Sequence, residues 1–196
     1  LVSSVDIAPT FAELAGITKE RSFEGTSFLP ILLDPAEEVR PYAFAEDHWH
    51  DYEDHGRAVI NQRWKLIRNT YPDLPNTPPA DAGRSPTWQT MLAMEKSGEL
   101  TDAQLACFVT PRPQWELYDL EKDPNELNNL ADDPSFSTKL RDLQIALSAW
   151  AERTDDFIPS KRTPDEFDRI TGQPDHSVRK RPRPSKQAMF GTNGAY

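Results

Sequence analysis

Five large apolar side chains, Phe136, Leu140, Leu143, Leu147 and Trp150, recur at helical spacing after Asp133-Pro134, and this stripe constrains the fold most. A helix carrying such a face needs an apolar surface to lie on, because tertiary burial supplies most of its stability. The available surface is a set of short strands. Tyr42-Ala43-Phe44-Ala45 is an apolar run, and Arg57-Ala58-Val59-Ile60 and Trp64-Lys65-Leu66-Ile67-Arg68 flank Asn61-Gln62-Arg63 with the spacing of an antiparallel hairpin. Trp115-Glu116-Leu117-Tyr118-Asp119-Leu120 alternates like a half-buried strand. These segments predict a small antiparallel sheet with the long helix across one face.

Shorter helices are expected elsewhere. From Ser4 to Gly16, Ile7, Phe11 and Leu14 share one face, Ser4 or Asp6 can cap, Pro9 falls in the first turn or so, and Gly16 sits where a left-handed cap belongs. After Gly25, a second helix with Phe28, Leu29, Ile31, Leu32 and Leu33 is expected to pack inward and to end at Asp34-Pro35. Ser85-Pro86 opens a helix to about Ser97 after a Pro-rich loop, and Thr101 with Gln104 forms a capping box.

Charge and composition narrow the functions. The 22 Lys+Arg against 32 Asp+Glu leave a net charge of -10, which disfavours sustained contact with nucleic acid or an anionic membrane surface. A single Cys allows no intramolecular bridge. No apolar run approaches the roughly 20 residues of a membrane helix. Counting Gly in place of Tyr, the apolar share is roughly 39% against about 45–50% for an average domain, so the core is thin. The start at Leu1, without an initiator Met or a signal-peptide pattern, is read as a start inside a longer protein. Residues 160–196 hold 8 basic and 4 acidic residues and no apolar periodicity, which predicts an extended or disordered basic tail on an acidic body. Within it, Arg179-Lys180-Arg181-Pro182-Arg183 reads as an anion-binding patch or, the favoured reading, as solvated tail lying against that body.

No Gly-rich phosphate loop, Gly-x-Ser-x-Gly elbow, Cys pair or His-Glu-x-x-His helix is present. Cys107, in Leu-Ala-Cys-Phe-Val, reads as a small buried hydrophobe rather than a nucleophile. The unusual stretch is Glu46-Asp47-His48-Trp49-His50-Asp51-Tyr52-Glu53-Asp54-His55, with three histidines, five carboxylates and two aromatics in ten residues. On a strand, His48 and His50 would point to one face and, with Asp51 or Glu46, could chelate a transition metal. Alternatively Trp49 and Tyr52 offer flat faces to a sugar while imidazoles and carboxylates take its hydroxyl, amino or sulfate groups. A third reading is a polar surface loop with an aromatic anchor. Arg57 divides similarly between an ion pair and an anion clamp.

Four ordered motifs carry a family resemblance: Val2-Ser-Ser-Val-Asp-Ile-Ala-Pro-Thr-Phe-Ala-Glu-Leu-Ala-Gly-Ile, Glu24-Gly-Thr-Ser-Phe-Leu-Pro-Ile-Leu, Arg63-Trp-Lys-Leu-Ile-Arg-Asn, and Trp115-Glu-Leu-Tyr-Asp-Leu-Glu-Lys-Asp-Pro-Asn-Glu-Leu-Asn-Asn-Leu-Ala. Over roughly residues 1–158 the chain resembles the C-terminal third of sulfatases. Ser85-Pro-Thr-Trp-Gln and Asp132-Asp-Pro-Ser-Phe look most like the N-sulfoglucosamine sulfohydrolase (heparan N-sulfatase) branch.

The resemblance implies an α/β protein overall, α+β for this chain. Residues 1–35 would be the last helices of an alkaline-phosphatase-like catalytic domain, 36–158 a C-terminal subdomain of antiparallel sheet and helix, and 159–196 the basic tail. It further implies a formylglycine nucleophile, made from a Cys/Ser-x-Pro-x-Arg motif, and a calcium ion held by Asp and Asn side chains, both upstream. Pro111 and Arg112 stand at the wrong offsets from Cys107 for that motif, so no catalytic residue and no metal ligand is assigned in this chain, which alone would be inactive. Implied partners are a sulfated glycan and the catalytic domain of the same protein, with no nucleic acid or membrane, in a periplasmic, secreted or lysosomal setting. The His-rich stretch corresponds to a pocket-wall loop, which makes His48, His50, Asp51 and Arg57 the candidate substrate-binding residues. A non-catalytic glycan-binding or interaction module of the same fold is the alternative.

Overall fold

A computed structural model describes residues 1–17 and 23–178. After a 3-10 turn at Ser4–Asp6 come α1 (Ile7–Leu14) and α2 (Leu29–Leu33), then β1 (Ala43–Trp49), β2 (Glu53–Ile60) and β3 (Trp64–Arg68). An excursion holding α3 (Ala80–Gly83), α4 (Pro86–Ser97) and α5 (Asp102–Leu105) leads to β4 (Trp115–Asp119), and α6 (Ser137–Arg153) follows. The strands form one antiparallel sheet in the order β1-β2-β3-β4, so the fold is α+β as the sequence predicts.

Register explains how the long helix is seated. Val59 pairs with Leu66, and Leu66 with Leu117, giving one apolar row across three strands. Leu143 and Leu147 of α6 close on that row, and all five side chains are buried. Phe44 stacks on Trp150 at 5.4 Å and Trp64 meets Phe136 at 5.6 Å, extending the contact to both ends of the helix. The turn between β2 and β3 is fixed by Asn61, whose Oδ1 accepts from Arg63 N and Trp64 N. Asn129 guards the outer edge of β4, accepting from Leu117 N and donating to Trp115 O, so that edge is not left open for strand addition. Ser85 Oγ caps α4, Gly98 ends it at φ 73, and the Thr101–Gln104 box is present.

Two expectations need correction. The apolar face of α1 does not pack into the core: Ile7 is 49%, Phe11 67% and Leu14 56% exposed, while Asp6 and Thr10 are the buried residues of this segment. Leu32 and Leu33 of α2 are likewise exposed. The reason is electrostatic. Asp6 accepts from Ser3 N at 2.7 Å, Thr26 N at 2.8 Å and Arg40, so the polar side of α1 is the one held by its neighbours. Thr10 continues the seam by donating to Asp6 O and accepting from Phe28 N.

The segment after Ser160 has no helix, yet through residue 178 it lies on the body rather than free of it. Thr163 N donates to Glu53, Arg162 Nη1 to Asp73 at 2.8 Å, and Arg169 to Asp165 and to Glu53 O. Tyr52 Oη donates to Asp168 O at 3.1 Å. Gly172, at φ 65, passes so near Ala80 O that a Cβ there would sit 2.3 Å away. The basic run Arg179–Arg183 lies outside the described residues.

One exposed-to-buried pair contributes to acid sensitivity. Asp119, almost fully buried, accepts from Arg63 Nε and Nη2 at 2.9 and 2.7 Å. Those hydrogen bonds hold its carboxyl below the ordinary 3.8, against the opposing effect of burial. With the folded value depressed, the contribution is complete above about pH 4 and is lost as pH falls through the lower folded value. Urea midpoints measured across acid pH are expected to fall less steeply for Asp119→Asn than for the wild type. Identical slopes would assign the acid sensitivity to other carboxylates.

Candidate functional site

The His-rich stretch is not a loop. His48 lies on β1 and His55 on β2, with only His50, Asp51 and Tyr52 left for the turn. Asp47 pairs with Gly56 and Trp49 with Glu53, so two residues of β2, Asp54 and His55, stand opposite His48 alone. This is a β-bulge, and His55 takes φ 54 there, a left-handed conformation that costs a non-Gly residue about 1–2 kcal/mol. The bulge brings the His55 ring under that of His48, centroids 5.1 Å apart.

His55 is the buried member. Its Nε2 lies 3.1 Å from Glu53 Oε1, and its Nδ1 has no partner among the described residues. Burial pushes the Glu53 carboxyl up, but hydrogen bonds from Thr163 and Tyr71 and the nearby His55 outweigh it, so the net shift is downward.

Arg57 is buried and has no donor to offer a ligand. Its Nε donates to Asp156 Oδ2 at 2.8 Å, Nη2 to Asp156 Oδ1 at 2.7 Å, and Nη1 to Gly56 O at 2.9 Å and Asp47 O at 3.4 Å. The remaining Nη2 donor lies 2.9 Å from His48 Nε2. All five N–H groups are thereby used. The anion-clamp reading of Arg57 is corrected on this ground: it is a buried ion pair. Its hydrogen bonds draw the Asp156 carboxyl down, with burial opposing.

The other candidates separate. The His48 side chain is half exposed, and that of His50 is 71% exposed with Nδ1 3.2 Å from Asp51 Oδ2. Asp51 Oδ2 also accepts from Ala80 N at 2.7 Å, tying the hairpin tip to the start of α3. His48 and His50 therefore engage different partners, His48 through Arg57 and His50 through Asp51. Sequence reasoning missed Glu53, His55 and above all Asp156, which no local signal connects with Arg57.

Glu46, His48 and Asp156 place ligand atoms within 4.8 Å of one another. The set does not fit calcium, which takes six to eight oxygen ligands. A transition metal meets a further obstacle, because the Arg57 guanidinium already occupies both Asp156 oxygens and the His48 nitrogen. A cation would enter against a fixed positive charge. No metal-dependent step is derived from these groups.

On the opposite face of the sheet, an open groove of about 970 Å³ is floored by Ala45, Ala58, Ile60 and Ile67 and rimmed by Lys65, Asn69, Arg112 and Glu116. Cys107 lies in its wall, partly buried rather than fully enclosed. Of the four candidate residues, Arg57 borders it, whereas His48, His50 and Asp51 do not.

The fold of this chain, a four-stranded antiparallel sheet backed by one long helix, superposes on solved sulfatases. A 2-O GAG sulfatase superposes with a TM-score of 0.50 at 25% identity, over 77% of this chain and 25% of that one. The curated relatives sharpen the class. An ulvan-active sulfatase of Formosa agariphila is 36% identical over 152 residues, 76% of this chain and 25% of that protein. The human N-sulphoglucosamine sulphohydrolase is 30% identical over 168 residues, 79% of this chain and 33% of that protein. The homologues of this chain are sulfatases, and the N-sulphoglucosamine sulphohydrolase to which its motifs pointed is among them. The chain spans between a quarter and a third of the length of these two relatives. No family model matches it.

Proposed function

We propose that this chain is the C-terminal portion of a sulfatase that hydrolyses a sulfate ester or sulfamate of a sulfated glycan, and that its β1–β2 hairpin reads the sugar. The observation that carries this is the likeness to relatives named for ulvan and for N-sulphoglucosamine, over more than three quarters of the chain. The hairpin suits the role physically. His50 and half of His48 face solvent, while Arg57, Glu53 and Asp51 beneath them are held by Asp156, Thr163 and Ala80. A sugar bearing an anionic group meets donors that are already oriented.

On this reading residues 1–35 belong with the catalytic domain, 36–158 form the smaller subdomain and 159–196 the tail. The outward apolar face of α1 and α2 supports the first assignment, since Ile7, Phe11, Leu14, Leu32 and Leu33 have no cover among the described residues and suit a face that packs on a larger domain. The formylglycine nucleophile and the calcium ion belong to that same larger portion, and these 196 residues alone do not turn over sulfate.

The test is made in the full-length enzyme. His50→Ala is expected to lower kcat/KM on N-sulfated glucosamine by about tenfold, the loss of one hydrogen bond to a charged group, and to change a small aryl sulfate less than about twofold. Equal loss on both substrates would overturn the sugar-reading role of the hairpin.

A further inference from the structure

The end of α6 and the middle of β2 together determine which nitrogen of His48 carries its proton. After Arg153 the chain caps the helix with Thr154, whose N and Oγ1 both donate to Trp150 O, and reverses through Asp155 at φ 52. This turn presents Asp156, with its N bonded to Ala151 O, to the sheet. Both carboxylate oxygens then take the Arg57 guanidinium, as described, and leave one Nη2 donor aimed at His48 Nε2, 2.9 Å away. Arginine has donors only and stays charged, so the nitrogen it faces must accept. A neutral imidazole that accepts at Nε2 carries its proton on Nδ1. The alternative partners of Nε2 are longer, Glu46 Oε2 at 3.3 Å and Asp156 Oδ1 at 3.8 Å, and a proton on Nε2 would point at the guanidinium.

We infer that Asp156 and Arg57 are positioning residues that fix His48 as the Nδ1–H tautomer, leaving Nδ1–H as its donor to a sulfate, sulfamate or hydroxyl oxygen of the ligand. The ligand half of this statement rests on the sulfated-sugar reading above; the tautomer half does not. No described residue accepts from Nδ1, and the ring is half exposed, so the donor is available from solvent. The stacked His55 ring and the saturated Arg57 restrain rotation that would exchange the two nitrogens. Histidine here works as a directed N–H, and the neighbouring Arg, which looks from the sequence like the anion-binding group, serves to orient it.

Nitrogen-15 imidazole spectra of the full chain at neutral pH test the first half. The His48 ring is expected to show the proton on Nδ1, in contrast to the mixed tautomers of free histidine measured alongside, and Asp156→Asn or Arg57→Lys is expected to return His48 to a mixed tautomer state. A wild-type His48 protonated on Nε2, or mixed like a free imidazole, overturns the inference without reference to any variant's folding. Titration with N-sulfated glucosamine tests the second half. His48→Asn, whose amide N–H replaces Nδ1–H, is expected to bind within about threefold of wild type, and His48→Gln, whose donor lies where Nε2 was, about tenfold more weakly. The reverse order overturns the assigned donor. A correct tautomer with no binding of the sugar by the full-length enzyme instead overturns the sugar reading and leaves the tautomer standing.

Discussion

Asp6→Ala is expected to free the first forty residues while leaving the sheet folded. Asp6 is fully buried, and its carboxylate is the common acceptor for Ser3 N, Thr26 N and the Arg40 guanidinium. Removing it leaves two amide donors and a nearly buried cation without their acceptor, a loss of about 3–5 kcal/mol for a broken buried pair. Arg40 Nε is already without a partner, so the cation has little to fall back on. The damage is local because α1 and α2 contribute nothing to the Val59–Leu66–Leu117 row. Hydrogen exchange at Thr26 and Phe28 should therefore accelerate by at least about a hundredfold, equivalent to about 3 kcal/mol, while Leu66 and Leu117 amides keep their protection. Gly25 adds a second constraint at the same joint, since a Cβ there would lie 2.0 Å from Val5 O. Uniform loss of protection throughout the chain would show instead that the N-terminal segment and the sheet form one cooperative unit.

Much of the fold is legible from local pattern. Alternation at Trp115–Asp119 and helical spacing after Asp133 each report a face that must be buried, and both faces meet in the core. Caps at Ser85 and Thr101 and the left-handed Gly16 and Gly98 follow from side-chain chemistry within a few residues. Burial of α1 is misread because periodicity says which residues share a face and not which face the rest of the protein leaves uncovered. Ile7, Phe11 and Leu14 do share a side, and within this chain it is the outer one.

The site is legible in composition and hidden in geometry. Histidine density marks the hairpin, but a one-residue bulge decides that His55 goes under His48, and no spacing rule in the chain predicts it. Arg57 is separated from Asp156 by 99 positions, so its role could not be inferred from its neighbours. The tail shows the same limit. Its composition reads as solvated, yet Arg162 finds Asp73, and Thr163 and Arg169 both find Glu53, which only the fold brings within reach.

Leu66→Ala is expected to have the opposite character to Asp6→Ala, a global loss. Leu66 has no exposed surface and stands between Val59 and Leu117 in the row that α6 covers. Truncation removes the burial of three carbons and leaves a cavity between two strands and a helix, which costs about 2–5 kcal/mol. Leu66 is held on both sides by paired strands, whose hydrogen bonds resist collapse into that space, so the cost should fall in the upper half of the range. Against a typical total of about 5–15 kcal/mol this is a large fraction. The adjacent Ile67 lines the open groove on the other face, and Ile67→Ala should cost less than half as much. Denaturant midpoints for the two variants measure the difference. The loss should also reach the hairpin, because α6 delivers Asp156 to Arg57: as the helix loosens from the sheet, the restraint on His48 goes with it. Retained His48 tautomer purity in Leu66→Ala, at a temperature where the helix has lost its exchange protection, would show that β1 and β2 hold the ring without α6.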